Sequence, residues 1–203
     1  MYYELLTLEM RLWGNIHALD GIAQRFAEDK SGGTLLGCWD IDIGLLGRLI
    51  LLRGFASRAD LDRAHETMML ASDPFGAGEH MRGFTAEAYQ LFPSMAPYQA
   101  GKHGKFYEFR DYQLEPGSLP DVMRAWEKAL PARQGTAPVL AAMYGLDGRT
   151  RMLHIAPFDS YQERLKTRRS LFQSGQWPPK GAPERIVEAR STIAIPNRIS
   201  PST

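Results

Sequence analysis

The sequence contains a single cysteine, Cys38, in 203 residues. One thiol excludes an intrachain disulfide and any metal site built from several cysteines. Cys38 lies between Gly37 and Trp39 in an apolar run. We therefore expect a small, buried side chain, with a reactive thiol as the alternative.

An excess of charge and a long apolar run are also missing. The 24 Lys and Arg residues balance 23 Asp and Glu residues, which gives a formal net charge of +1. Nucleic-acid binding requires a basic surface that neutralises phosphates, so we expect no nucleic-acid partner. The longest apolar run, 45–52, is far shorter than the roughly 20 residues that cross a bilayer. Because Glu4 and Glu9 also interrupt any secretory leader, we expect a cytoplasmic protein without a membrane span.

Sequence motifs typical of cofactor binding or of a catalytic nucleophile are absent as well. The chain has no Gly-x-Gly-x-x-Gly, no Walker loop and no Gly-x-Ser-x-Gly. The stretch HETMM at 65–69 lacks the second histidine that a zinc-protease helix needs. We expect neither a cofactor nor a metal ion.

An internal repeat organises the sequence. A shift of 104 residues places YYEL (2–5) on FYEF (106–109) and LLGCW (35–39) on VLAAM (139–143). When one residue is dropped, FAS (55–57) meets FDS (158–160). Agreement in the order and spacing of segments indicates a diverged duplication.

Each half has the pattern strand, helix, strand, strand, helix, strand. In the second half, an aromatic-rich strand at 106–114 precedes a helix that begins near Ser118 with Pro120 in its first turn. Two strands joined by a hairpin at 147–148 follow. The next helix of each half opens at a serine of a capping box, Ser57 or Ser160.

This order predicts an α+β protein of two tandem ferredoxin-like (βαββαβ) units. The first covers 1–104, with the linker within 72–104, and the second covers 105–203. Both helices of such a unit cover one face of its sheet, so the other face needs a partner. We expect the halves to pair as an intrachain pseudo-dimeric α+β barrel. A monomer or a homodimer is then expected, because barrel closure needs no second chain.

Three stretches carry a family resemblance. FYEFRDYQLEPGSLPDVMRAWE, from 106, resembles the start of a NIPSNAP domain, and PFDSYQERLKTRRSL with the later WPP resembles its helical segment. In the first half, LLGCWDIDIGLLGRLILLRGFASRADLDRA resembles the same family's strand and helix. The first half departs from the pattern at Leu6, where the family has arginine, and at 52–54, where a tryptophan is usual.

The resemblance implies membership of the dimeric α+β barrel proteins and leaves the activity undefined. Relatives in that wider group include cofactor-independent monooxygenases, haem-degrading enzymes and isomerases. The departures imply that the first half is a structural copy or that the halves line an asymmetric cavity.

The second opening strand carries the strongest candidate site. Alternation places Glu108, Arg110 and Tyr112 on one face and Tyr107 and Phe109 on the other. We expect the apolar pair to face the helices. The polar residues would then point into the barrel, with Glu4 opposite them, and could orient a small anion or ketone. The alternative is a structural ion pair between the sheets.

Three further residues complete the candidate site. His154, on a predicted strand, is the best general base by its near-neutral pKa, with Glu108 as a second proton-transfer candidate. A polar core role is the alternative for this histidine. Trp39 and Tyr144 are candidate aromatic walls of a ligand cavity, or ordinary packing residues.

Three functions remain open from the sequence. The first is binding of a small organic molecule in the barrel interior. The second is a cofactor-independent monooxygenase or isomerase, which needs the same cavity and one titrating base. The third is a protein-interaction module, which predicts a barrel filled by side chains and an apolar outer patch.

Overall fold

The computed structural model describes residues 1–203 as one closed barrel with four helices outside it. The eight strands are β1 (Tyr2–Met10), β2 (Thr34–Ile43), β3 (Arg48–Phe55), β4 (Met81–Leu91), β5 (Phe106–Leu114), β6 (Ala141–Gly145), β7 (Arg151–Phe158) and β8 (Ile186–Pro196). The helices are α1 (Gly14–Glu28), α2 (Arg58–Leu70), α3 (Leu119–Thr136) and α4 (Tyr161–Gln173). None of the helices is both long and apolar enough to cross a membrane.

The strand order confirms the predicted fold class. Around the barrel the order is β1-β3-β2-β8-β5-β7-β6-β4, and every neighbouring pair is antiparallel. Each half contributes four adjacent strands in the ferredoxin-like order, and the halves join where β2 pairs with β8 and β4 pairs with β6. Closure leaves no unpaired strand edge.

The local signals for the two later helices act as predicted. The Ser57 hydroxyl accepts a hydrogen bond from the Asp60 backbone N–H at 3.1 Å, and Ser160 accepts one from Glu163 at the same distance. The Glu163 carboxylate in turn accepts from the Asp159 N–H at 2.9 Å. These bonds satisfy donors that a helix start leaves free, so both helices begin directly after the predicted serine.

Side chains fill the barrel interior. A cluster of 16 buried residues draws members from all eight strands, which places it inside the ring. Trp39 is fully buried there, with its ring centroid 5.2 Å from those of both Tyr107 and Phe109. A Cβ on Gly37 would lie 1.9 Å from the Trp39 ring, so only glycine fits beneath it. The prediction of a ligand cavity inside the barrel is therefore wrong.

The C-terminal residues cover one end of the barrel. Tyr98, in the connection between the halves, donates its backbone N–H to the Tyr3 hydroxyl at 2.9 Å and its own hydroxyl to Ser202 at 2.8 Å. Ser202 is fully buried and donates to the Leu36 carbonyl at 2.6 Å. The Cys38 backbone N–H donates to the Ser200 hydroxyl at 2.9 Å. Burial raises the pKa of the Cys38 thiol to about 12, which makes it unreactive.

The outer, helix-covered faces of the two halves differ. In the first half, Leu6, Leu8 and Leu51 pack beneath the helices, and the buried ring of Phe75 fills the remaining space. In the second half, α3 packs on the sheet through Val122, Trp126 and Leu130, among others. The last helix, α4, buries only Arg164 and Leu171. It therefore leaves a cleft between itself and the sheet.

The predicted orientation of β5 is reversed in the structure. Tyr107 and Phe109 belong to the cluster inside the barrel, and Tyr112 belongs to the cluster beneath α3. Glu108 and Arg110 share the face of Tyr112, so all three point toward the helices. Charged side chains inside a closed barrel packed with side chains would lose contact with water, so the interior contains the apolar residues Tyr107 and Phe109.

Candidate functional site

The cleft beneath α4 is the candidate site, with a volume of about 770 Å³. Such a volume lies within the range of small-molecule pockets. Its floor is the outer face of β5, β7 and β8, and its walls come from α3, α4 and the segment after α4. The polar lining residues are Glu108, Arg110, Tyr112, Arg133, His154, Arg168, Arg169 and Gln173. The apolar ones include Leu165, Phe172, Trp177, Pro183, Ile186 and Ala189.

Glu108 is the only carboxylate of the cleft, and its charge is already satisfied. It accepts hydrogen bonds from Arg164 at 2.5 Å and from the Ser191 hydroxyl at 2.6 Å. The Nε atom of Arg110 lies 3.5 Å and Nη1 of Arg168 lies 4.0 Å from the same oxygen. Burial alone would raise the pKa of Glu108, but the hydrogen bonds and the positive charges outweigh it and lower the pKa. Glu108 is therefore ionised at neutral pH, and Arg164 and Ser191 already occupy it.

Arg133 is a buried cation without an anionic partner. Its residue surface is 3% exposed, it makes no ion pair, and its Nε has no hydrogen-bond partner. The guanidinium lies over the Trp177 ring, 4.7 Å from the centroid. Burial lowers the pKa of Arg133 to about 10. A buried charge of this kind costs free energy unless something compensates it.

His154 lies on the cleft floor, directly opposite Arg110 in the pairing of β5 with β7. It is 1% exposed, and neither ring nitrogen has a hydrogen-bond partner. The ring packs against Trp126, Tyr112 and Trp177, with centroids 4.9, 5.6 and 6.5 Å away. Burial, assisted by the charges of three nearby arginines, lowers its pKa well below the usual value. The imidazole is therefore neutral at neutral pH.

The electrostatic character of the cleft follows from these residues. Four lining arginines (Arg110, Arg133, Arg168 and Arg169) face one carboxylate, and Arg164 already pairs with that carboxylate. Burial and the neighbouring cation Arg110 lower the pKa of Arg168. An anion bound among these arginines would relieve this crowding of positive charge. Guanidinium groups are suited to carboxylates and phosphates because they donate two parallel hydrogen bonds.

The structure brings together four of the predicted site residues: Glu108, Arg110, Tyr112 and His154. The expectation that Glu4 faces them across the barrel is wrong. Glu4 lies on the outer face of the first half, where Arg53 donates to it from Nε at 2.7 Å. Arg53 also pairs with Asp29 at 2.9 Å.

The two predicted aromatic walls are also absent from the cleft. Trp39 is enclosed in the barrel interior. Tyr144 lies on β6, half-buried near Phe92 with ring centroids 6.4 Å apart, and lines a separate shallow cleft along α3. Trp177, from the segment after α4, supplies an aromatic wall in their place.

The first half has no equivalent of this site. Strand pairing aligns Arg110 with Leu6 and His154 with Leu51, and the shift that aligns the capping serines aligns Arg164 with Leu61. All three leucines are buried. The first half is therefore packed as a structural copy, and the polar cleft belongs to the second half alone.

Sequence reasoning missed Arg133, Arg168 and Trp177. A signal for Arg133 was present: it follows Val122, Trp126 and Leu130 at helical spacing, so a charge occupies the buried stripe of α3. Arg164 and Arg168 are four residues apart and therefore share one face of α4. Trp177 lies in an irregular segment, where no periodicity predicts the direction of a side chain.

Comparison with solved structures places the fold among known barrels. A proposed monooxygenase from Lactobacillus acidophilus NCFM has a TM-score of 0.67 at 10% identity, covering 96% of this chain and 93% of that chain. An anthrone oxidase-like protein has a TM-score of 0.66 at 10% identity, covering 97% and 91%. A mutant chlorite dismutase from Candidatus Nitrospira defluvii has a TM-score of 0.62 at 10% identity, covering 98% of this chain and 92% of that chain. At these identities the similarity shows a shared fold alone. No curated protein sequence matches the chain.

The comparison with family models is more specific. The NIPSNAP model matches residues 107–201, a span that contains every residue lining the cleft. The second half of the chain is therefore similar to the NIPSNAP family.

Proposed function

We propose that this protein binds a small organic anion in the cleft beneath α4. The observation that carries the proposal is Arg133, a cation that is 3% exposed and has no carboxylate partner. Arg110 and Arg168 border the same space and add donors to it. A protein that needed no anion here would be more stable with an apolar residue in place of Arg133, because the buried charge opposes folding.

The experiment is a titration with simple carboxylates followed by calorimetry. We expect Arg133→Met to weaken carboxylate binding at least tenfold, since a charged hydrogen bond contributes about 1.5–3 kcal/mol. Arg124→Met is the matched control, because Arg124 lies on the same helix, outside the cleft, beside Asp121. The proposal fails if folded protein binds no carboxylate, or if the two variants bind equally well.

A second candidate function is proton transfer without a cofactor, with His154 as the base. It is supported by an imidazole that is neutral and has two unpartnered nitrogens. Both nitrogens are covered, so a substrate must displace a neighbouring ring, Tyr112 or Trp177, to reach one. The test is exchange of a carbon-bound hydrogen of a bound acid with D₂O, measured by NMR. His154→Gln should abolish the exchange and retain the binding.

The third candidate, a protein-interaction module, is supported by exposed apolar residues at one end of the first half. Leu12 is 86% and Trp13 66% exposed, and Leu45 and Leu46 of the β2–β3 connection are 63% and 69% exposed. The filled barrel also agrees with this function. Neither feature accounts for the unpaired Arg133, which is why anion binding is preferred. Pull-down with Trp13→Ser as the comparison would test it.

A further inference from the structure

We propose that the ligand is an amphiphilic organic acid, with its anionic group at the arginines and an apolar body that lies along α4. The inference rests on the proposed anion site and adds the chemical class of the ligand. It depends on two observations: the polarity of the cleft changes along its length, and apolar side chains of α4 are exposed at its rim.

The pairing of β8 with β5 orders the cleft from polar to apolar. Ser191 is opposite Arg110, Ala189 is opposite Tyr112, and Ile186 is opposite Leu114. Four residues of β5 separate the level of Arg110 from the level of Leu114, a distance of roughly 13 Å at the usual strand rise. A ligand held by the arginines can therefore extend about this far over apolar floor.

The walls of the cleft also carry apolar side chains. Pro183 and Trp177 line the cleft together with Leu165 and Phe172 of α4. Leu165 is 47% and Phe172 is 73% exposed. These two residues are seven apart, so they lie on one side of the helix. An apolar body in the cleft would remove both from water.

An exposed apolar residue on this helix does not by itself indicate a ligand, because the first half has one too. Met69 occupies the position of Phe172 in the duplicated helix α2 and is itself 60% exposed. Its chain neighbour Met68 belongs to a packed cluster with Leu6, Leu51 and Phe75. Phe172 instead borders an open cleft that Trp177, Pro183 and Ile186 also line. A purely polar anion would leave that part of the cleft unused.

Calorimetric titration of the full chain with three probes tests the inference: octanoate, propionate and the uncharged octanamide. Each buried methylene should tighten binding about fourfold. If three of the five additional methylenes of octanoate are buried, octanoate should bind about 60-fold more tightly than propionate. Octanamide should bind at least tenfold more weakly than octanoate, because it brings no charge to the arginines.

Two surface variants locate the apolar body. Phe172→Ser should weaken octanoate binding about fivefold to tenfold and weaken propionate binding much less, because propionate has almost no apolar chain to lose contact. Met69→Ser should change neither, and both variants should remain folded because both positions are exposed.

Each contrary result has a distinct meaning. If octanoate binds no more tightly than propionate, or if Phe172→Ser does not change octanoate binding, the ligand is not amphiphilic. The anion site is still supported in either case. Equal binding of octanoate and octanamide, or no binding of either acid to folded protein, overturns the anion site and the inference together.

Discussion

Two buried arginines in the same cleft should respond in opposite ways to the same substitution. Arg133 is 3% and Arg164 is 6% exposed, yet only Arg164 has a carboxylate partner, Glu108 at 2.5 Å. We expect Arg133→Met to stabilise the protein and Arg164→Met to destabilise it. Methionine keeps an unbranched apolar chain of similar length in both cases.

The magnitudes follow from the environment of each cation. Burial lowers the pKa of Arg133 to about 10. Relative to an unperturbed arginine, this corresponds to about 3 kcal/mol of free energy that disfavours the folded, charged state, at ~1.4 kcal/mol for each tenfold change in the proton equilibrium. Loss of the contact between Arg133 and the Trp177 ring offsets roughly 0.5–2 kcal/mol of the gain. Arg133→Met should therefore raise the free energy of unfolding by about 1–2 kcal/mol. Arg164→Met leaves Glu108 without its nearest cation and should lower it by about 3–5 kcal/mol.

Urea denaturation at pH 7, without added carboxylate, measures both effects. The linear dependence of the unfolding free energy on urea gives the difference between each variant and the parent protein. A saturating carboxylate should then stabilise the parent and have little effect on Arg133→Met. A loss of more than about 1 kcal/mol in Arg133→Met would contradict the expected gain, because Arg133 would then be a satisfied structural residue.

Three other predictions test the site and the barrel. Arg110→Leu introduces the residue that the first half has at that position. It should lower the free energy of unfolding by less than about 1 kcal/mol, because Arg164 and Ser191 still bind Glu108. In calorimetry it should weaken carboxylate binding at least tenfold. His154 is neutral when folded but takes up a proton below about pH 6.5 when unfolded, so its contribution to stability falls as the pH falls. His154→Leu should remove this loss, so the stability of the variant relative to the parent should rise as the pH falls from 7 to 5, by up to about 2 kcal/mol; parallel curves would contradict the burial of a neutral imidazole. Residues 105–203 expressed alone should aggregate or self-associate in sedimentation, because β6 and β8 lose their partners; a stable monomer would contradict the shared barrel.

The sequence alone determined the element order and the repeat. Alternating strands, capping serines and the duplicated YYEL and FYEF openings act over a few residues, so they can be read without the fold. The β5 strand, predicted at 106–114, has those bounds in the structure. The same local periodicity grouped Glu108 with Arg110 and Tyr112 on one face, and these residues do line the cleft together.

Only the tertiary structure decided which way that face points and what meets it. Alternation is symmetric, because it separates two faces without identifying the inner one. Closure of eight strands into a ring makes the inside a dry space, which takes Tyr107 and Phe109, and leaves the charged face of β5 to the helices. Arg133 and Arg168 reach that face from α3 and α4, more than twenty residues away along the chain, and their positions follow from the packing of helices on the closed barrel.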